Sequence, residues 1–571
     1  MVWVTFNSPR WGDSTASDLN FGLKISRTSG MPTAVLSYGL PMEDDLLTSP
    51  KMTHLLTLVE EATRSTAEGV QFFVEPAEDA LRRATNRHHH IIFGRRGSGK
   101  SSLLRKAAVD LTRERRPMAW VDLESFKGHS YPDLLISVLI KTLEEFIGWL
   151  KTAAIAPANK TSIWKKLFGG KPSRPPFNKA ACAALTTTIS QHLLQLKELL
   201  HSADHAEIQT TSEASEATKS GLAATTSVGS SLPLAKASTS VEGHAEQQAS
   251  AQSKSSESFR RSKIDFLLRH VMDFQAVFTE MAKLSDGDSF LFLDDLYHLR
   301  KAEQPLVVDY LHSIAKGNRL WLKIGTIKHR SSWYIHGSPP QGVKLGDDAD
   351  EIDLDLTLEK YQLAKDFLRK ILQNLARSVE FPDRLEFLTE TGLDRLVLAS
   401  GGVARDFLAI FRRSVAAARE RGKEAARGER VGAEDVNKAA GEYEPTKREE
   451  FKRDTNDEDE SALNTVFQEI RRFCLDTANS NCFLIDKEQQ HANVNAIHEL
   501  VDLKLLHLIR SRVTVSKRQG KIYEAYMLDL SQYAGSRKKR GLDLVEFWRP
   551  DSAEQLRKAS LIYLDRTTLA D

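Results

Sequence analysis

The run Gly94-Arg95-Arg96-Gly97-Ser98-Gly99-Lys100-Ser101 fits the spacing G-x-x-x-x-G-K-[ST]. The chemistry of that spacing is phosphate binding. Glycines let backbone N–H groups curl around an anion, and a helix starting near Lys100 points its positive end at it. Lys100 is placed to reach β- and γ-phosphates, and the Ser101 hydroxyl to hold Mg²⁺. The whole loop, with Ser102 behind it, is a candidate nucleotide site.

Such a metal also needs a carboxylate at the end of a neighbouring strand. Phe290-Leu291-Phe292-Leu293-Asp294-Asp295 supplies four apolar residues and then two acids. Asp294 is expected to hold the metal, and Asp295 to orient or deprotonate an attacking water. The run Trp321–Thr326 ends in a polar group, so Thr326 is a third candidate, with Arg330 behind it. His88-His89-His90 resembles a metal tract, but successive strand residues face opposite ways and no Cys or acid lies nearby, so a structural role is expected. No Ser-His-Asp, Cys-His or glycosidase carboxylate spacing is present.

The elements that must position these groups alternate. His88–Phe93 reads as a buried strand, Ser101–Arg113 as a helix and Met118–Leu123 as a strand; a helix capped by Ser130 follows. This rhythm predicts a parallel α/β sheet. Residues 1–50 are Ser-, Thr-, Gly- and Pro-rich and are expected to be poorly ordered. The core is assigned to 51–355, interrupted by an insertion at 151–258. Within it Ala180–Leu200 is helical, and about 203–258 lacks the apolar residues to offset chain entropy, so a disordered loop is predicted. An all-helical region spans 356–441, with a short last helix at Glu434–Ala440. An acidic connector follows at 442–460, with nine acidic and four basic side chains. Residues 461–535 read as helix, short strand, helix and hairpin, and 536–571 as a tail.

The phosphate loop, the Asp294-Asp295 strand, the polar strand end at Thr326 and the Gly401-Gly402-Val403-Ala404-Arg405 helix start occur in an order that resembles AAA+ and STAND ATPases. Initiator-type AAA+ proteins and bacterial STAND switches are the nearest groups. The resemblance implies a parallel-sheet P-loop NTPase core, a helical lid and a C-terminal winged-helix-like α+β domain. It implies ATP and Mg²⁺ as ligands, and Arg405 as an arginine reaching from lid to γ-phosphate. Phe73, Val74 and Pro76 would line an adenine pocket. AAA+ motors usually carry Asp-Glu where this chain has Asp294-Asp295, which looks more like STAND proteins; aspartate reaches one methylene less, so fast turnover is not implied.

The chain has 571 residues, with Lys+Arg 79 against Asp+Glu 77 and a formal charge of +2. That balance excludes a uniformly basic nucleic-acid binder and a wholly acidic disordered protein. The cancellation hides blocks: Val501–Arg540 holds ten basic and three acidic residues. Ala496–Ile509 reads as a candidate recognition helix. The hairpin after it carries Arg512, Lys517, Arg518 and Lys521, candidate contacts to DNA phosphates. Cys182, Cys474 and Cys482 form no CxxC pair, which suits a reducing compartment. Met1–Trp11 carries no secretory pattern, and the apolar run Pro132–Leu150 is broken by Lys141, Glu144 and Glu145. A cytoplasmic protein without a membrane span is expected.

The reading is an ATP-binding, ATP-hydrolysing switch in which nucleotide at the core–lid cleft controls the C-terminal domain. Two others stay open: an ATP-dependent DNA-binding initiator or regulator, and a scaffold or sensor of a bacterial defence system. Nucleotide-dependent homo-oligomers and an unidentified protein partner are compatible with all three.

Overall fold

The computed structural model describes residues 46–64, 68–113, 115–155, 177–223, 260–285, 287–381, 385–422, 430–455, 457–487, 493–516, 518–535, 539, 541–549 and 552–563. The expectations for residues 1–45 and 224–258, and for Lys517, lie outside them.

The central sheet has strands β1 (His90–Phe93), β2 (Met118–Asp122), β3 (Ser289–Asp294), β4 (Leu320–Thr326) and β5 (Asp350–Asp353). Their order is β2-β3-β4-β1-β5, and every neighbouring pair is parallel. Strand residues alternate between faces, so the sheet has two cores. Ile92, Phe290 and Phe292 pack with Leu103 and Leu104 of helix α2 (Lys100–Arg113). Ile91, Phe93, Leu291 and Leu293 pack on the other face. That face is covered by α3 (Asp133–Ile155), α4 (Lys179–Ala223), α5 (Val271–Ser285) and α6 (Gln304–Ala315). β3 is buried along its whole length, as a parallel strand covered on both sides must be. The result is a mixed α/β fold whose five-stranded parallel sheet is consistent with a P-loop NTPase core.

Several sequence expectations need correction. The edge strand β5 was hidden in Asp-Glu-Ile-Asp, which offers only Ile352 to the core. Helix α4 continues to Ala223, beyond the point where a disordered loop was expected. Its Ala, Glu and Lys content favours helix, and no proline interrupts it. The acidic connector is largely helix: α10 runs from Ala433 to Asp454 and α11 from Asp457 to Arg472. Tyr443, Glu444, Lys447 and Phe451 are buried at helical spacing along α10. That inward face holds the helix despite Pro445, which removes one backbone hydrogen bond. Finally, part of the expected tail is packed: Val545, Phe547, Leu561 and Tyr563 are buried, and the Tyr563 N–H donates to Leu484 O at 2.9 Å.

The helical set comprises α7 (Tyr361–Ser378), α8 (Glu390–Ser400), α9 (Ala404–Arg421) and α10. The N-terminal helix (Pro50–Ala62), α1 in this numbering, buries Met52, Leu55 and Val59 in the same cluster, not against the sheet. Beyond α11, helix α12 (Val494–Asp502) lies between β6 (Cys482–Asp486) and β7 (Leu506–Val515); β8 (Arg518–Leu528) closes an antiparallel sheet of order β6-β8-β7. The expected recognition helix therefore ends early, and Leu506–Ile509 belong to β7. Apolar residues of the helical set and this sheet form one continuous cluster. Among the described residues, no helix is long and apolar enough to cross a membrane.

Candidate functional site

The glycine loop spans the turn from β1 to α2. Gly97 (φ +86°) and Gly99 (φ +106°) occupy the left-handed region, which side chains with a Cβ rarely adopt. A Cβ on Gly97 would also lie 2.7 Å from the Arg405 Cβ. Lys100 Nζ donates to the carbonyls of Gly94 (2.9 Å) and Arg95 (3.3 Å). Burial lowers its pKa, and the nearby Asp295 and Asp294 charges work against that shift. The hydroxyl of Ser98 is buried with no hydrogen-bond partner. Unsatisfied donors around a helix start are what a phosphate completes.

β3 ends beside this loop. The Ser101 hydroxyl is hydrogen-bonded to the Asp294 carboxylate, whose Oδ1 has no partner. Burial, then repulsion from Asp295, pushes the Asp294 carboxyl up to about 7. A Cβ on Gly325 of β4 would lie 2.9 Å from Asp294 Oδ1, so glycine there leaves room for the carboxylate. Asp295 holds a left-handed backbone (φ 59°) at the start of a 3₁₀ turn, Leu296–His298. One ligand atom each from Asp295, His298 and Glu124 lies within 4.8 Å of the others. Burial lowers the His298 pKa, opposed by Asp295 and Glu124.

Loop, acids and helices share one cleft of about 230 Å³. Arg96, Gly97, Ser98, Gly99, Lys100, Ser101, Ser102, Asp295 and Arg405 all line it. Its apolar wall joins Phe72, Phe73, Val74 and Pro76 to Phe367, Ile371, Leu375 and Leu408 of α7 and α9. The Arg405 N–H donates to Gly97 O at 3.2 Å, so α9 begins on the glycine loop itself. The Arg96 guanidinium pairs with the Asp454 carboxylate at the end of α10. Arg330 reaches the Asp454 carbonyl, and Lys127 the Arg453 carbonyl at 3.2 Å.

Other expected site residues lie elsewhere. Gly94, Asp294 and Thr326 do not line the cleft. The Thr326 hydroxyl is buried against Ser331. The Arg95 side chain is 1% exposed and turns away, with Nε on Asp355 Oδ1 (2.7 Å) and Nη2 on the Gly401 carbonyl (2.9 Å). In the C-terminal sheet Arg512 and Arg518 are exposed, whereas Lys521 pairs with Asp486 at 2.7 Å. Helix α12 faces the core: Asp502 accepts from the His329 N–H at 3.0 Å, and Glu499 lies 3.8 Å from Lys301.

Glu124, His298 and Asp454 escaped sequence reasoning. His298 follows Asp295 by one 3₁₀ turn, which was a usable signal; Asp454 carried none, because its partner Arg96 is 358 positions away. Burial pushes the His89 imidazole down to about 3, and its Nδ1 accepts from the Leu322 N–H at 3.1 Å. That half of the histidine run is sheet packing.

No family model and no curated protein matches the chain. Among solved structures, the Orc1 protein of Aeropyrum pernix, solved in complex with DNA, is similar to 84% of this chain and 89% of its own at 13% identity. The TM-score is 0.29, below the level at which a shared fold follows.

Proposed function

We propose that the chain binds ATP with Mg²⁺ in the cleft between the parallel sheet and the helical lid, and that bound nucleotide sets the position of the C-terminal sheet. The observation that carries this is the convergence on one cleft of a glycine cradle with an unpartnered Ser98 hydroxyl, Lys100 and Arg405, together with an aromatic and aliphatic wall. The unpartnered Asp294 Oδ1 beside Ser101 fits a divalent ion.

In this reading the backbone from Gly97 to Ser101 and the Lys100 ammonium hold the phosphates. Ser101 and Asp294 hold the metal, and Arg405 joins the γ-phosphate. Magnesium, when bound, neutralises phosphate charge. Asp295 orients the attacking water, and its short side chain favours slow turnover. Arg95 ties the loop to the Gly401 carbonyl, and a Cβ at Gly401 would collide with the His507 ring. His507 Nε2 meets Asp529 at 2.9 Å, which gives the phosphate loop a packed route to the C-terminal sheet.

Equilibrium binding of labelled ATP tests the reading. Lys100→Ala should weaken affinity by about a hundredfold, or ~2.7 kcal/mol. Equal affinity would remove the proposal. Hydrolysis is tested separately, since Asp295→Asn should stop phosphate release while leaving ATP bound. A second reading, DNA contact, is supported by exposed Arg512 and Arg518 on the hairpin. It requires salt-dependent binding that weakens when both are removed. The docking of α12 on the core argues against base reading by that helix.

A further inference from the structure

We propose that Glu124, Asp295 and His298 form a site for one first-row transition ion, of the zinc or manganese class, at the edge of the glycine-loop cleft, which Glu124 and Asp295 also line. The three side chains come from the C-terminal ends of adjacent parallel strands. Glu124 follows β2 in a 3₁₀ turn whose Asp122 side chain accepts from the Glu124 N–H at 3.0 Å. Asp295 and His298 open and close the turn after β3.

Their ligand atoms lie within 4.8 Å of one another. Two donors on a common ion at about 2.1 Å are roughly 3–4 Å apart, so a small side-chain closure completes the set. A second observation points to a ligand independently of the acids. The His298 side chain is 4% exposed, its Nε2 has no hydrogen-bond partner, and Glu124 Oε1 lies 3.8 Å from that nitrogen. A buried imidazole nitrogen without a hydrogen bond, beside a carboxylate, costs free energy unless something bridges them. Mixed imidazole and carboxylate donors suit zinc or manganese, whereas magnesium and calcium prefer oxygen alone. The nearby Arg96 charge is taken up by Asp454.

The site shares Asp295 with the ATP reading but takes neither Lys100 nor Ser101, so ion binding measured without nucleotide keeps its failure separable from that of the ATP reading. The test uses the full chain, nucleotide-free and in excess Mg²⁺. Mn²⁺ is titrated by loss of the free-ion EPR signal, and Zn²⁺ by calorimetry. Wild type, Lys100→Ala and Ser101→Ala should each bind one ion. His298→Gln and Glu124→Gln should weaken binding by about tenfold or more. Glu124 is half exposed, so its variant reports binding even if His298→Gln folds poorly. Three results overturn the proposal: no uptake by wild type, which would leave only a histidine–glutamate ion pair; unchanged uptake by Glu124→Gln; or loss in Ser101→Ala equal to that in Glu124→Gln.

Discussion

The glycine-loop cleft and the junction between the helical set and the C-terminal sheet both bury charge, and their charges are partnered differently. At the junction Lys447 meets Asp529 at 2.6 Å, His507 meets the same carboxylate at 2.9 Å, and Lys504 meets Glu450 at 2.6 Å and Asp406 at 3.1 Å. Burial would raise the Asp529 carboxyl, but Lys447 and His507 hold it below the ordinary carboxylate range. At the cleft, the Lys100 ammonium is bonded to carbonyl oxygens and the Ser98 hydroxyl is unpartnered; next to it Asp294 repels Asp295 and keeps an unpartnered oxygen. The junction pairs its buried lysines with carboxylates of the same chain, although His507 Nδ1 is left without a hydrogen bond; Lys100 has only carbonyl oxygens.

Paired lysine deletions break or sharpen that contrast. Lys447→Met strands Asp529 as a buried charge, and removing one partner of such a pair costs about 3–5 kcal/mol. A lowered thermal midpoint of the full chain should show it, with part of the loss recovered by adding Asp529→Asn. Lys100→Ala should do the reverse. It discards a desolvated ammonium that no carboxylate bonds, so thermal stability without nucleotide should hold or rise while ATP-dependent stabilisation disappears. Equal destabilisation by both variants would erase the distinction.

Asp294 gives the contrast a pH dependence. Its folded pKa is raised, so its contribution to stability is fully present below the ordinary carboxylate range and lost as pH rises through about 7. Metal binding needs the ionised form and runs the other way. Mg²⁺-nucleotide affinity should rise by up to about tenfold per pH unit below 7 and flatten above it. Asp294→Asn should remove the part of the dependence that exceeds the nucleotide's own phosphate titration, read by nucleotide titration across pH 5.5 to 8 in constant salt.

The cleft was more legible in the sequence than the junction, for physical reasons. Gly97 and Gly99 are demanded by backbone conformation, and β3 by burial on both faces; both constraints act over a few residues and leave a local signature. Asp355, which anchors Arg95, and Asp454, which pairs with Arg96, are chosen by a tertiary approach across hundreds of positions. The acidic count over 442–460 reads as an acidic connector because composition cannot show that Lys447 and Glu444 are buried. Thr326 sat at the right strand end, but whether its hydroxyl faces the cleft or Ser331 depends on a loop with no periodicity.

The smallest expected effect lies where α12 meets the core. His329 Nδ1 is 3.1 Å from Asp502 Oδ2, and that hydrogen bond, only partly offset by burial, raises the imidazole pKa above its ordinary value. The sign follows: the contact's stabilisation is fully present below about 6.5 and is lost as pH rises through the raised value. The His329 side chain is 42% exposed, so solvent screens the pair and its worth is held to about 1 kcal/mol or less. Hydrogen exchange in α12 should quicken as pH rises through this window, once corrected for intrinsic rate, and His329→Gln should remove the excess. An α12 whose protection ignores both pH and His329→Gln would be held in place by contacts other than this imidazole, among them the His329 N–H to Asp502 and the Lys301–Glu499 pair. The C-terminal sheet would then follow the lid through the Lys447–Asp529 junction and not through the His329 imidazole.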